Sequence, residues 1–300
     1  MVVGLIDVDG HNFPNLSLMK LSAWHKAQGD SVEWWWGWTQ YDRVYMSKVF
    51  DAAYSPDMLE PLNAKEIIKG GTGYGLENKL PQEVEHIYPD YSLYPALTKN
   101  TAYGFLTRGC PRACQFCVVS EKEGRCSVKV ANLSEFWRGQ KHIKLLDPNL
   151  LACKDAILLI KQLADSGAQV DFTQGLDARL LSECNIAALN QVNVKMLHFA
   201  WDDMRQSDSV LRGLELYAKH GAVQDGRKRR VYVLTNFDTT IEDDLHRIYT
   251  LREMDFDPYV MVYDKPNAPR ISKQMQRWVN NKFIWRSCAK FEDYGNIREA

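Results

Sequence analysis

Cysteine is sparse in this chain, seven in 300 residues, and the number is odd. That argues against a disulfide framework. A second C-x-x-C pair is also missing, so structural zinc, which commonly takes two separated ligand pairs, would have to recruit His142 or Cys126 to complete a site. No apolar run approaches the length of a membrane span. The opening Met-Val-Val-Gly-Leu-Ile-Asp lacks the charged start, long apolar core and cleavage site of a secretory signal. A soluble protein of the reducing cytoplasm, with no membrane partner, is therefore expected. Excess charge is absent as well: 37 basic against 38 acidic side chains leave a net charge of -1, and nothing global points to nucleic acid. The one basic cluster, Arg227-Lys-Arg-Arg230, reads as a solvated loop or strand edge. Repeats and low-complexity segments are lacking too, and hydrophobic and charged contents of 45% and 25% are ordinary globular values.

Against that background one segment stands out. Thr107-Arg-Gly-Cys110-Pro-Arg-Ala-Cys114-Gln-Phe-Cys117 places three thiols within eight residues, after an apolar run. Thiolates are the usual ligands of iron–sulfur clusters, and a fully ligated cluster normally takes four. A tight set of three leaves one iron open to a substrate, and an open iron can do chemistry.

From residue 99 onward, strand-like runs alternate with amphipathic stretches. The strand candidates are Tyr103–Thr107, His142–Leu146, Gln169–Thr173, Val194–Ala200, Arg230–Thr235 and Pro258–Tyr263. In Lys154–Ser166, residues Ile157, Ile160, Leu163 and Ala164 recur at helical spacing and Gly167 supplies a stop. Repeated βα units mean parallel strands with right-handed crossovers. The fold class is α/β, and an open barrel of about six strands is expected over residues 99–266. Working residues in such folds sit at the C-terminal ends of strands. Those ends carry the Cys loop, Asp147-Pro-Asn149, Gln174-Gly-Leu-Asp177-Ala-Arg179, Trp201-Asp202-Asp203 and Asn236-Phe-Asp238. Each taken singly reads equally as a turn or a helix N-cap; five on one face suggest a ligand.

The cysteine spacing, with an aromatic residue directly before the third thiol, resembles that of the radical S-adenosylmethionine (SAM) enzymes. Residues from about 99 to 266 are similar to the branch with an N-terminal cobalamin-binding-like domain and to the methylthiotransferases, as are Val118-Val119 and Glu123-Gly124-Arg125 after the motif. The resemblance implies that Cys110, Cys114 and Cys117 bind a [4Fe-4S] cluster whose fourth iron is chelated by SAM. It implies that Phe116 lies against the adenine, with Asp147 and Asn149 in the place of the motif holding the SAM amino group, although the usual Gly-Gly-Glu is absent. Arg179 becomes a candidate for the carboxylate, Asp202 for the ribose, and Thr235 and Asn236 for backbone contacts to adenine. An electron donor such as flavodoxin or ferredoxin is the implied partner, and reductive cleavage of SAM to a 5′-deoxyadenosyl radical the implied reaction.

The first 98 residues read as a small Rossmann-like unit: strands at Val2–Asp7, Ser31–Trp35, Arg43–Met46 and Glu66–Lys69, and a helix from Leu16 toward Gly29. Asp9-Gly-His11 resembles the D-x-H part of a cobalamin-ligating motif, with Pro14 where that motif has Gly. The unit is expected to be a degenerate relative that does not hold cobalamin. Gly70-Gly-Thr-Gly-Tyr-Gly75 suits either a phosphate cradle or a loop of positive φ, and Trp34-Trp-Trp-Gly-Trp38 is read as packing between the two units. Cys126 is a fourth ligand, a resolving thiol or a hydrogen donor if it is not inert; Cys153, Cys184 and Cys288 are read as inert. Residues 267–300 are expected to pack as an extension on the barrel. Three classes stay open: a radical SAM enzyme, a cobalamin-dependent methyltransferase on the same domain, and a non-catalytic iron–sulfur or zinc protein.

Overall fold

The structure, a computed structural model, describes residues 1–10 and 13–296. Two parallel sheets follow one another along the chain. The first is made of β1 (Val2–Asp7), β2 (Ser31–Trp34), β3 (Tyr41–Ser47) and β4 (Ala64–Gly70), in the order β2-β1-β3-β4. The helix α1 (Leu16–Ala27) connects β1 to β2; Asn15 caps it by accepting from the Leu18 amide. Period-two alternation sorts the side chains. Val3, Leu5 and Tyr45 pack under α1, whereas Ile6, Val44 and Met46 face the other way. On that second face the chain supplies loops. The crossover from β2 to β3 is only residues 35–40, so the Trp-rich segment is a connection with no helix in it.

The stretch between the sheets carries α2 (Gln82–Glu85) and α3 (Pro95–Thr98). It bonds to both sides. The Asp90 amide donates to Met19 O, and the Tyr94 hydroxyl donates to Asp7 at 2.6 Å. Tyr91 accepts from the Tyr103 amide and donates to the Phe136 carbonyl.

The second sheet begins with β5 (Thr101–Gly104). A short antiparallel pair, β6 (Thr107–Arg108) and β7 (Val128–Lys129), brackets the cysteines, with α4 (Val119–Lys122) between them. Then come β8 (His142–Leu145), α5 (Ala156–Asp165), β9 (Gln169–Phe172), α6 (Glu183–Leu189), β10 (Val194–Ala200), α7 (Ser207–His220), β11 (Arg229–Thr235), α8 (Ile241–Glu253) and β12 (Asp257–Val262). The order β12-β11-β10-β9-β8-β5 is that of the sequence, every pair is parallel, and the sheet does not close. This is the open six-stranded α/β arrangement expected, with the first strand starting two residues earlier. Ile143, Val170, Leu197, Phe199, Val231 and Val260 form the core beneath the helices. The alternate residues of the same strands face the concave side, the lumen.

Three helices end the described chain: α9 (Arg270–Asn280), α10 (Lys282–Ser287) and α11 (Phe291–Asn296). Because β12 is an edge strand, Val260 has backbone groups with no neighbouring strand. Asn280 satisfies both, accepting from Val260 N and donating to Val260 O, each at 2.9 Å.

Candidate functional site

The cysteine loop leaves the C-terminal end of β5 and is fixed at its base by one carboxylate. Asp147, at the end of β8, accepts from the backbone amides of Leu106 and Thr107 and from the Thr107 hydroxyl, at 2.6 to 2.8 Å. Burial pushes its carboxyl up to about 7, against the three donors that favour the charged form. Both oxygens are thereby used on the protein itself. Asp147 thus positions the loop, and of the pair Asn149 is the one whose side-chain oxygen has no donor.

Gly109 turns the chain into the motif with φ +85; a Cβ there would lie 2.2 Å from the Cys126 carbonyl oxygen, so only glycine fits. Cys110 N donates to Gly124 O. Arg108 binds Glu123 at 2.7 Å, and the Glu123 carboxylate also accepts from Gly109 N. The Glu123-Gly124 pair thus braces the loop from behind. The three motif thiols are free and partly exposed. Burial pushes Cys114 and Cys117 up, helped by the neighbouring thiols and Asp202, and opposed at Cys114 by Arg179. Thiols crowded this way would give up their protons most readily to a metal.

Around them the strand ends converge. Asn149 points its amide at Cys110 Sγ, 3.5 Å away, and at Asp177, 3.3 Å away. Its Oδ1 is buried with no donor, as a site for an ammonium group would be. Asp177 is held by Arg112 at 2.6 Å and by Arg179 at 2.7 Å. Burial alone would raise its carboxyl, but the two guanidinium groups hold it below the usual range. Arg179 spends Nε and Nη2 on Asp177 and keeps Nη1 unbonded, which suits it to a carboxylate. Asp202 accepts from Leu234 N through Oδ1 only, and burial raises its carboxyl to about 6. Phe116 meets Phe237 edge to face at 5.4 Å, and Phe237 meets Tyr263 at 4.8 Å. Thr235 O already accepts from Tyr263 N, so Asn236, at φ 63, is left with the free backbone of that pair.

Sequence reasoning missed Arg112, Phe237 and Arg247. Arg112 stood inside the motif, between two thiols. Phe237 followed Asn236 directly. Arg247 gave no sign, because it lies in an ordinary amphipathic helix. Fully buried, it pairs with Asp244 and donates to Trp201 O at 2.7 Å and Leu234 O at 2.9 Å, holding the ends of β10 and β11 in place.

Other expectations meet the structure as follows. His142 begins β8, at the end of the sheet opposite the thiols, and Cys126 is exposed. Among the described residues no three His, Cys, Asp or Glu side chains gather as they would around a single ion. The glycine run is explained by close packing: a Cβ on Gly71 or Gly73 would stand 2.2 Å from a carbonyl oxygen of Lys48 or Phe50. In the Trp segment, Trp34 contacts Tyr94, a residue still within the first 98, at 5.2 Å, and Trp36 and Trp38 are 62% and 87% exposed, so these three Trp are not seen packing between the two units. Within the basic cluster Arg227, Arg229 and Arg230 each pair with an aspartate; Arg227 stays largely exposed, and Arg229 is buried against Asp255 rather than solvated. His11, the D-x-H histidine, lies outside the described residues. No helix among the described residues is long and apolar enough to cross a membrane.

The open parallel sheet, with a three-thiol loop at the C-terminal end of its first strand and a smaller parallel sheet before it, has its fold in common with a known protein. A solved structure shares it: the radical SAM methyltransferase TsrM from Kitasatospora setae, with cobalamin and a [4Fe-4S] cluster bound, aligns at a TM-score of 0.61 and 10% identity, over 87% of this chain and 74% of that one. No protein-family model and no curated protein matches the chain. Because that neighbour holds cobalamin, the likeness gives no support to the expectation that a corrinoid is absent.

Proposed function

We propose that the protein is a radical SAM enzyme in which Cys110, Cys114 and Cys117 hold a [4Fe-4S] cluster. The observation carrying this is the convergence on one thiol loop of an orphaned acceptor, a half-used guanidinium and an aromatic face. Together they complement the charged and aromatic parts of SAM. When bound, cluster and SAM supply a reductive cleavage that yields a 5′-deoxyadenosyl radical. The chain's own work is placement. Asn149 Oδ1 accepts from the amino group, Arg179 Nη1 pairs with the carboxylate, and Asp202 accepts from the ribose. Phe116 and Phe237 cover the adenine beside the Asn236 backbone. Asp147, Glu123 and Arg108 keep the thiols in register. The electron would come from a flavodoxin or ferredoxin.

The test is anaerobic reconstitution with iron and sulfide, reduction, addition of SAM and chromatography for 5′-deoxyadenosine. Product that disappears in Cys114→Ala is expected. A fully loaded wild type that yields none, and whose cluster spectrum is unmoved by SAM, would overturn the reading in favour of a non-catalytic iron–sulfur protein.

A second reading, that the protein also uses a corrinoid, is favoured by the cobalamin in its structural neighbour. The C-terminal ends of the first sheet also face the lumen, where Phe13 meets Tyr103 at 6.0 Å. A corrinoid absorption spectrum retained after gel filtration would support it, and failure of added hydroxocobalamin to co-elute would exclude it.

A further inference from the structure

The concave face of the second sheet is polar. Read across the register, Tyr103 sits beside Lys144, Lys144 beside Asp171, and Tyr232 beside Tyr259. His198 from β10 joins the row by stacking on Tyr232 at 5.1 Å and 14°. Most interior carboxylates near this face are already matched. Asp257 has Arg230 and Lys282, Asp177 has Arg112 and Arg179, and Asp147 has its backbone donors.

Asp171 is different. Its Oδ1 is buried and receives no hydrogen bond. The cation beside it in register, Lys144, forms no ion pair and lies over the rings of Phe13 and Tyr103, at 4.6 and 5.6 Å. His198 Nδ1 is 3.5 Å from Asp171 Oδ1 but closer to the Phe172 carbonyl, at 3.2 Å. That carbonyl can only accept, so it fixes the proton on Nδ1 and leaves Nε2 a lone pair without a protein donor. A buried carboxylate oxygen left without a donor costs stability. The row therefore offers, between aromatic rings, one buried carboxylate oxygen without a donor, flanked by an imidazole.

The dyad is also tied to the site above it. Tyr232 donates to Thr173 O at 2.9 Å, and Leu176 N donates to His198 O at 2.7 Å. The same turn ends at Asp177, which holds the cysteine loop through Arg112.

We infer that Asp171 and His198 form the recognition site of the lumen and select an organic ammonium, a protonated amine carried on a flat apolar body. This rests on the proposed function only in taking the lumen as the substrate's place. The ammonium donates to Asp171 Oδ1, with the neutral His198 ring beside it, and the body lies among Tyr103, Tyr232 and Tyr259. Burial holds His198 below its usual pKa, so near neutral pH its ring is uncharged and does not compete with a cation for Asp171, 3.5 Å from Nδ1; the charged or titratable groups facing it are Asp171, Arg230, Asp257 and Tyr232.

The experiment is calorimetric titration of the full-length protein with benzylammonium, benzyl alcohol and benzoate. Saturable benzylammonium binding is expected, at least about tenfold tighter than benzyl alcohol, lost to a similar degree in Asp171→Asn, and weakening as pH falls below the ordinary histidine value. Lys144→Met should keep it, which guards against a misfolded Asp171→Asn being read as support. Equal binding of the alcohol, preference for benzoate, unchanged affinity in Asp171→Asn, or loss in Lys144→Met would each overturn the inference. The deoxyadenosine assay on the same preparation separates the two claims. Deoxyadenosine without ammonium binding overturns only this inference, whereas ammonium binding without deoxyadenosine supports it and counts against the radical reaction.

Discussion

The two parallel sheets are built from similar strands but finished differently. In the second sheet each crossover from β8 to β12 runs through a helix, and the strand ends are held by carboxylates and guanidinium groups: Asp147, Asp177 with its two arginines, and Arg247 behind β10 and β11. In the first sheet only the β1–β2 crossover has a helix, and the loop after β4 is held by backbone packed on backbone at Gly71 and Gly73. Glycine contacts fix a loop without giving it functional groups. Polar side-chain networks fix a loop and leave atoms over, such as Arg179 Nη1 and Asn149 Oδ1, that can be used on a ligand. The second sheet is therefore where chemistry is expected, and the first is a support and a cover.

Substitutions in the two regions should separate along that line. The largest effect belongs to Cys114→Ala: complete loss of cluster iron and of 5′-deoxyadenosine, with little change in thermal unfolding of the apo protein. Iron analysis and calorimetry on the same samples check it, and a fully loaded mutant would remove the cluster assignment. Next is Arg247→Met, which leaves Asp244 as an unpaired buried charge and the Trp201 and Leu234 carbonyls without their donor; a loss of about 3–5 kcal/mol in denaturant unfolding is expected. Gly71→Ala should cost about 2–3 kcal/mol, because it combines a disfavoured φ with a backbone clash. Iron bound per folded molecule should be unchanged by it. If Gly71→Ala emptied the cluster instead, the first sheet would have to be part of the site.

What was legible in the sequence follows the same division. Strands in both sheets could be read because apolar alternation is a local property, and Val2–Asp7 and Val194–Ala200 were bounded to the residue. The thiol loop was legible because its three ligands are close in sequence. Asp147 was picked out by its place after a strand, but its hold on the cysteine loop was not legible, since nothing local says that a carboxylate will turn back on a segment 40 residues earlier. Asp171 and His198 went unnoticed although the signal was present: each is a polar residue at a lumen-facing step of a strand whose alternate positions are apolar. Such strands, if covered on both faces, would read as nearly continuous hydrophobic runs. The exposed Trp36 and Trp38 were misread because a run of aromatic residues looks alike whether it lies in a strand or, as here, in a helix-less crossover.

The finest test addresses the seam between the two sheets. Lys20 of α1 donates to the Glu85 carboxylate at 2.9 Å, and Glu85 accepts from Arg108, at the base of the cysteine loop, at 3.1 Å. Burial pushes the Glu85 carboxyl up, but the charges of Lys20 and Arg108 outweigh it and hold it below 4.5. A carboxylate with a depressed folded-state pKa contributes stability above its unfolded value, and that contribution is lost as pH falls through the folded value. Glu85→Gln should therefore cost roughly 1 kcal/mol at neutral pH, and a double-mutant cycle with Arg108→Met should give a coupling of about 0.5–1 kcal/mol. Both should fade as the pH falls below the ordinary glutamate value and through the depressed folded-state one, beyond which wild type and mutant carry the same charge at this position. A coupling that persists in acid would mean that packing, and not charge, joins the first sheet to the cluster loop.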